Sequence, residues 1–416
     1  MLSVTEASAR ILAGIHPLPL ERVPLLDASG RVIASPAVAR YTLPHWDNSA
    51  MDGYAVIGVD VDGASAEQPV KLTVLETIAA GAFATVPITR GTCARIMTGA
   101  PLPEGSDGVI RVEDTDGGVE NVEIRNDRDA RRNLRPKGED FVLGQTVIEA
   151  GAAIAPAQIG VLASLGLSAV DVHRRPRVAI AGSGDELVDL DRFAEVLAGR
   201  KIVSSNSYTL SALVATAGGQ PQVLGNASDT PESLREVLLR ASGADLIITS
   251  AGASVGEFDY TRSVLASLGA TLDFWKVRMR PGAPIGFGML GDTPWIGLPG
   301  NPVSAMVTFE LFVRPVIRRM LGYTRVFRRP MTVELEEPVT IGARLTHFLR
   351  AIVRVRDDGV LTASLTGPQG SGILTSMAKA NALLIVPEDR PRVEAGDTLH
   401  AIPLSDDAHL TDTFAL

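Results

Sequence analysis

The sequence predicts an α/β plus β multidomain chain, with a doubly wound α/β domain in its middle and β-rich modules on either side. Three observations predict it. From Arg177, short apolar runs alternate with stretches of helical spacing, and Gly-rich loops stand where the runs end. From about Thr42 to Asp140 the texture is strand-like and rich in turn residues, and beyond Arg329 short strands with turn signals return.

The elements follow in order. From Val4, the residues Ala7, Ile11 and Leu12 share one helical face. KLTVLETI alternates and VEIRND follows it, with Gly-Asp turns between the pieces. Ala150 to Val170 carries no charge, long enough on paper to span a membrane, but its glycines, alanines and Pro156 point to a buried soluble helix starting near Pro156. The chain thus leaves one module, builds another and returns. In the middle, RVAIAG is a buried strand, and Asn206 to Ala217 is a helix closed by Gly218 and Gly219. PQVLG is a strand, and Thr230 caps a helix that has Pro231 at its first position. DLIITS is a further buried strand, Asp259 opens the next helix, and TLDFWKVRM is one strand. PIGFGML and PWIGL pair across Gly291–Asp292, and Asn301 and Pro302 begin a long helix to about Leu321. MTVELEEPV, HFLRAIVRV and GVLTASL make the tail a small β-barrel or sandwich.

Composition narrows the function. With 39 basic and 48 acidic residues in 416, the net charge of −9 argues against a nucleic-acid partner, so bases that serve an anionic ligand must be gathered locally. Cys93 is the only cysteine and the six histidines are scattered, which leaves oxygen-ligated cations such as Mg²⁺ as the expected metals. The opening MLSVTEASARIL lacks the basic and apolar regions of a signal peptide, and a cytoplasmic protein without membrane contact is expected.

Four strings carry chemistry. GSGDEL, Gly182 to Leu187, follows a buried strand and places Asp185 and Glu186 beyond Gly184; alone it reads as a capped surface turn. SAGASVGEFDY, Ser250 to Tyr260, adds small residues through which backbone N–H groups can approach an anion, and acids that can hold a cation bridging phosphates. GLPGNPVSA, Gly297 to Ala305, makes a helix N-terminus with Asn301 as cap, and its dipole favours an oxyanion. KVRMRPGAP sets Lys276, Arg278 and Arg280 on alternate positions of one strand face, a phosphate or oxyanion clamp in an acidic protein. DNSAMDGYA, TGAPLPEGSDGVI, KGED and QGSGILTSM are each ordinary loop chemistry in isolation, and Cys93, His45 and Trp46 carry no partner pattern and read as structural.

Taken together and in this order, the strings DNSAMDGYA, TGAPLPEG, GED, GDEL, SN, GASVGEFDY, RPG, GLPGNPVSA and QGSGILTSM with AN resemble the MoeA family, the molybdopterin molybdenumtransferases, seen also as the E-domain of gephyrin. The resemblance covers nearly the whole chain. It implies four domains: an elongated N-terminal domain from 1–42 and 141–175, an inserted β-rich domain at 43–140, an α/β molybdopterin-binding domain at 176–327, and a C-terminal β-barrel at 328–416. The implied reaction is hydrolysis of adenylated molybdopterin with insertion of molybdenum from molybdate, assisted by Mg²⁺, with release of AMP. The resemblance also implies a homodimer with the cleft between subunits, and dealings with the pathway adenylyltransferase and molybdoenzyme apoproteins.

Carried over by position, the catalytic acids are Asp52, Asp140, Glu186, Asp229 and Asp259, with Glu186 and Asp259 on the metal. Anion binding falls to Lys276, Arg280, Pro281, Gly282, Ser304, Arg350 and Ser371. The remaining substrate contacts are Thr98, Gly99, Gly184, Asp185, Ser205, Asn206, Gly252, Ser254, Gly256, Pro299, Gly300 and Asn301. The chain departs from the family at Arg280 and Ala283, where lysines are common, and at Ala251–Gly252, where Gly-Gly is common. The lost cation bears on oxyanion preference, molybdate against tungstate, more than on reaction class. An adenylyltransferase of the same pathway would be the α/β domain alone, a scaffold would not need the full acidic set, and a nucleotide hydrolase leaves DNSAMDGYA and TGAPLPEG unexplained.

Overall fold

The structure is a computed structural model that describes residues 1–250 and 257–405, the side chains of 257–260 excepted. The chain divides into two compact units. One comprises Met1–Ala34, Gly151–Ala155 and Ala169–Leu416; the other comprises Ser35–Ala150 and Pro156–Ser168.

In the larger unit a six-stranded sheet is the frame. Its strands run in the order Gln220–Ala227, Arg177–Ser183, Leu246–Ser250, Thr293–Leu298, Gly286–Leu290, Ala270–Phe274. The first four are mutually parallel, and Gly286–Leu290 runs antiparallel to its neighbours on both sides. Period-2 alternation sorts their side chains into two cores. Val178, Ile180, Leu246, Ile248, Ile296 and Leu298 join one core with the helices Ser205–Thr216 and Pro302–Thr308, while Ala179, Ala181, Ile247 and Trp295 join another with Pro231–Leu239. Helices on both faces are what make such strands read as unbroken apolar runs. Thr230 accepts a hydrogen bond from Ser233 N, capping its helix as expected. The hairpin turns at Gly291–Asp292, with Leu290 facing Thr293.

The helix from Pro302 runs to Met320 but is not uniform: Phe309–Val313 forms a π turn between α segments. Asn301 occupies the cap position in extended backbone, yet its side chain makes no capping hydrogen bond, which corrects the expected cap. TLDFWKVRM is not one strand either. It ends at Phe274, and Met279–Arg280 pairs instead, in parallel, with Thr346–Val355 of the barrel. Asp259 is the third residue of the helix Glu257–Ser267 rather than its opening.

The barrel closes through five strands: Thr346–Val355, Leu361–Leu365, Met331–Leu335, Thr398–Pro403 and Ala382–Val386, the last pairing back onto the first. Leu349, Ala351 and Val353 point into its interior, whereas Phe348 belongs to the α/β core. His347–Ala351 of this strand is therefore buried on both faces.

Arg174 secures the root of the strand Arg177–Ser183. Its guanidinium donates to both oxygens of Asp245 at 2.5 and 2.6 Å, and Asp245 also accepts from Arg177 N at 2.8 Å. Burial alone would raise the Asp245 pKa, but the fork and the amide outweigh it and hold it below the ordinary carboxylate value. A depressed folded pKa contributes stability at neutral pH that is lost as pH falls through it. Asp245→Asn is expected to cost about 1–3 kcal/mol at pH 7. The deficit should shrink below pH ~4, where the unfolded carboxylate protonates. Denaturant midpoints at pH 7 and in acid measure both, and a deficit independent of pH contradicts the assignment.

In the smaller unit, five strands in the order Gly108–Arg111, Gly53–Val56, Thr92–Ile96, Val70–Ile78, Asn121–Ile124 form the sheet. The Pro156–Ser164 helix exists, but only Leu162 is buried in it, which corrects the expectation of a buried helix. Its Ala and Gly residues carry too little apolar surface to require cover. No helix among the described residues is long and apolar enough to cross a membrane. Burial pushes the Cys93 thiol up to about 12, so it stays protonated and inert.

Candidate functional site

The four parallel strands finish in register, Gly182 beside Ser250, Ser183 beside Ala227 and Ser250 beside Leu298, so their carboxyl ends lie along one edge. In the first loop Gly184 has φ +146°, and a Cβ there would lie 2.6 Å from Glu186 Oε2, so the carboxylate folds over the glycine. Asp185 and Asp229 clasp reciprocally: Asp185 N donates to Asp229 Oδ2 and Asp229 N to Asp185 Oδ1, both at 3.2 Å. Ser205 and Asn206 open the Ser205–Thr216 helix, and Asn206 Nδ2 donates to Gly300 O at 2.7 Å. That bond joins the SN string to the loop holding Pro299, Gly300 and Asn301. Val303 N in turn donates to Ser371 O at 3.1 Å, joining this loop to the barrel. Ser304 lies just inside the helix and is buried. Gly252, Ser254, Gly256 and the Asp259 side chain lie outside the described residues.

A cavity of about 540 Å³ opens at the mouth of the barrel. Its polar rim combines Arg280, Pro281, His347, Arg350, Gln369 and Ser371, and Val339, Ile341, Leu349 and Leu365 line the apolar side. Arg350 is fully buried. Its Nε donates to Ser376 Oγ at 3.0 Å and its Nη2 to Gly370 O at 2.9 Å, while Nη1, equally buried, finds no acceptor among the described residues. Burial pushes its pKa down from the ordinary arginine value, an indication of how little solvent the charge sees. A buried guanidinium in the lining of a cavity is able to pair with an anion. Gln369 braces it, accepting from Arg350 N at 2.8 Å and donating to Arg350 O at 3.1 Å. Gly282 has φ +99°, and a Cβ there would lie 2.5 Å from Thr308 Cγ2, so only glycine fits after Arg280 and Pro281.

The three bases of the expected clamp, Lys276, Arg278 and Arg280, do not all reach the cavity. Val277 and Met279 are buried between the exposed bases, but only Arg280 lines the cavity, and Arg278 pairs with Glu388 at 3.4 Å. His347 and Gln369 are the residues that sequence reasoning missed. Both lay inside quoted strings, and only their placement at the cavity distinguishes them.

The smaller unit brings its own strings together. Ser49 N donates to Ala100 O and Gly99 N to Ser49 O, Leu102 N reaches Asp47 O, and Asp47 Oδ1 accepts from Lys137 N at 2.7 Å. Asp52 Oδ1 accepts from both Thr98 N and Thr98 Oγ1 at 2.7 Å, and these bonds hold its pKa below the ordinary value. Asp140 is exposed on the KGED loop.

Among the described residues no three His, Cys, Asp or Glu side chains are gathered to hold a metal. The donors at the sheet edge are carboxylates, which fit magnesium bound through one or two protein oxygens, with water and phosphate completing the shell.

A doubly wound sheet with acids at its carboxyl edge, joined to a barrel whose mouth is lined by Arg280 and Arg350, is an arrangement that can bind anionic ligands. Comparison with known proteins makes the family specific. Residues 2–166 match the MoeA N-terminal region (domain I and II), residues 179–319 a probable molybdopterin binding domain, and residues 332–404 the MoeA C-terminal region (domain IV). The chain is 39% identical over 389 residues to molybdopterin molybdenumtransferase 2 of Mycobacterium tuberculosis, covering 92% of this chain and 95% of that one. It is 38% identical over 392 residues to a Nostoc molybdopterin molybdenumtransferase, covering 92% and 88%. Its structure resembles a molybdopterin biosynthesis moeA protein from Pyrococcus horikoshii OT3 with TM-score 0.82 at 27% identity, covering 97% and 100%. The chain belongs to the MoeA family.

Proposed function

We propose that this protein is a molybdopterin molybdenumtransferase, inserting molybdenum from molybdate into adenylated molybdopterin and releasing AMP. The similarity to proteins of that name over nearly the whole chain supports the activity. The observation that carries the site assignment is the cavity lined by Arg280, Arg350 and Ser371, with Arg350 itself fully buried.

In this reading Arg280 and Arg350 balance the oxyanion's charge and Ser371 donates to one of its oxygens. The Pro299–Asn301 loop, tied to Asn206 through Gly300 and followed by the Ser371 contact at Val303, positions the pterin phosphate near the helix N-terminus. Asp185, Glu186 and Asp229 serve the adenylate end, and by the family resemblance Asp52, Asp140 and Asp259 also belong to the catalytic acids. Glu186 and Asp259 would hold magnesium. When bound, magnesium neutralises charge on the departing phosphate. The protein acts as a homodimer in the cytoplasm, receiving its substrate from the pathway adenylyltransferase and passing product to molybdoenzyme apoproteins.

The test is to mix the purified protein with adenylated molybdopterin, molybdate and Mg²⁺ and to follow AMP. AMP should accumulate only with all three present, stop on chelation and resume when Mg²⁺ is restored. AMP release indifferent to molybdate contradicts the activity, and indifference to chelator contradicts the carboxylate metal assignment.

A further inference from the structure

Resting on the oxyanion reading of the barrel mouth, we propose that His347 is the proton-linked third base of that pocket, and that a doubly charged tetrahedral oxyanion enters together with a proton taken up on this ring. The assignment starts from register. His347 lies directly opposite Arg280 across the parallel pairing of Met279–Arg280 with Thr346–Val355. Side chains in register on neighbouring strands stand side by side on one face. His347 is 5% exposed and lines the same cavity as Arg280 and Arg350.

The ring's orientation is fixed from behind. Nε2 lies 3.2 Å from Ala343 O, and a carbonyl can only accept, so Nε2 carries the hydrogen. Nδ1 is then the edge that gains or loses a proton. The charged groups lining the cavity around it are Arg280 from the neighbouring strand and Arg350 from its own strand. The 338–342 segment, Leu365, and the 369–371 loop contribute no ionisable side chain to the lining. Among the lining residues the imidazole thus meets the Arg280 cation beside it and no carboxylate. Burial, with Arg280 as a further cause, depresses its pKa, whereas the hydrogen bond to Ala343 acts the other way. A dianion in the cavity reverses the local field and favours the imidazolium. Linkage fixes the sign: affinity rises as pH falls through the window between the free and the bound pKa, by at most tenfold per pH unit for one proton.

The experiment measures molybdate binding to the full chain by calorimetry between pH 6 and 8, in two buffers of different ionisation enthalpy, for the parent and for His347→Gln. Glutamine keeps a donor for Ala343 O but cannot titrate. The expected result is several-fold tighter binding per unit of falling pH, with up to one proton taken up by the parent and none by His347→Gln. Binding that occurs without pH dependence or proton uptake in the parent overturns the inference. So does a pH dependence that survives in His347→Gln. If the parent binds no molybdate at any pH, the oxyanion reading itself fails, a different outcome from either of these. A circular-dichroism melt of His347→Gln within a few degrees of the parent shows that the barrel is intact.

Discussion

Arg350→Ala is expected to weaken molybdate binding roughly 30- to 150-fold, the equivalent of about 2–3 kcal/mol for a lost charge-assisted contact in a desolvated site. The size follows from burial. Arg350 is fully enclosed, and the donor left idle by Ser376, Pro368 and Gly370 is Nη1. The substitution also strips those acceptors of their partner, so some stability is lost as well. Arg350→Lys separates the two effects, because it keeps a charge but not the fork. Affinity should fall between parent and alanine variant in a molybdate titration, with melting followed in parallel. A variant that melts early yet keeps its molybdate affinity would make Arg350 a buckle for the 368–371 loop and not a ligand.

The largest effect on stability is expected at Glu310, in the π turn. Its carboxylate lies 3.0 Å from both Arg314 Nε and Arg328 Nε, with side-chain exposures of 9%, 12% and 28%. Arg314 Nη1 also donates to Val326 O, so the cluster ties the connector before the barrel to the helix. Burial lifts the Glu310 carboxyl and lowers the Arg314 guanidinium, and each shift opposes the charged pair. The cluster as a whole therefore adds little net stability, but removing its one anion strands two cations. Glu310→Ala is expected to cost about 3–5 kcal/mol. Thermal melting should shift downward by roughly 10 °C for a unit of this size. A shift of under a degree would mean that Arg328, the most exposed member, simply returns to water and takes the strain with it.

Most of the α/β frame is legible in the sequence because its signals are local. The apolar runs RVAIAG and DLIITS, the Thr230–Pro231 helix start and the Gly291–Asp292 hairpin each encode their own geometry within a few residues. What is not legible depends on distant chain. HFLRAIVRV reads as an ordinary strand, and nothing within it reveals that one face meets the barrel interior through Leu349 while the other meets the α/β core through Phe348. That double cover is what buries Arg350 and His347. The break after Phe274 has the same origin, since Met279–Arg280 leaves its run to pair with the barrel strand. Asn301 reads as a cap by type and position, but its side chain does not bond the helix. The π turn at Phe309–Val313 carries no signal in residue type or spacing.

Within the site, legibility divides along the same line. Glycines that mark backbone requirements, Gly184 and Gly282, announce themselves because φ values of +146° and +99° exclude other residues. The convergence of Arg280 with Arg350 and Ser371 joins residues about 70 to 90 positions apart and needs the barrel to be docked before it exists.

That convergence is the central claim, and tungstate tests it most directly. Crystals of the protein equilibrated with tungstate, a heavy tetrahedral dianion of molybdate's shape, give an anomalous signal at the tungsten atom. The account predicts a peak in the barrel-mouth cavity, within hydrogen-bonding reach of Arg280, Arg350 and Ser371 through its oxygens. A peak found only elsewhere, or no peak with tungstate at concentrations that saturate binding in solution, would contradict it.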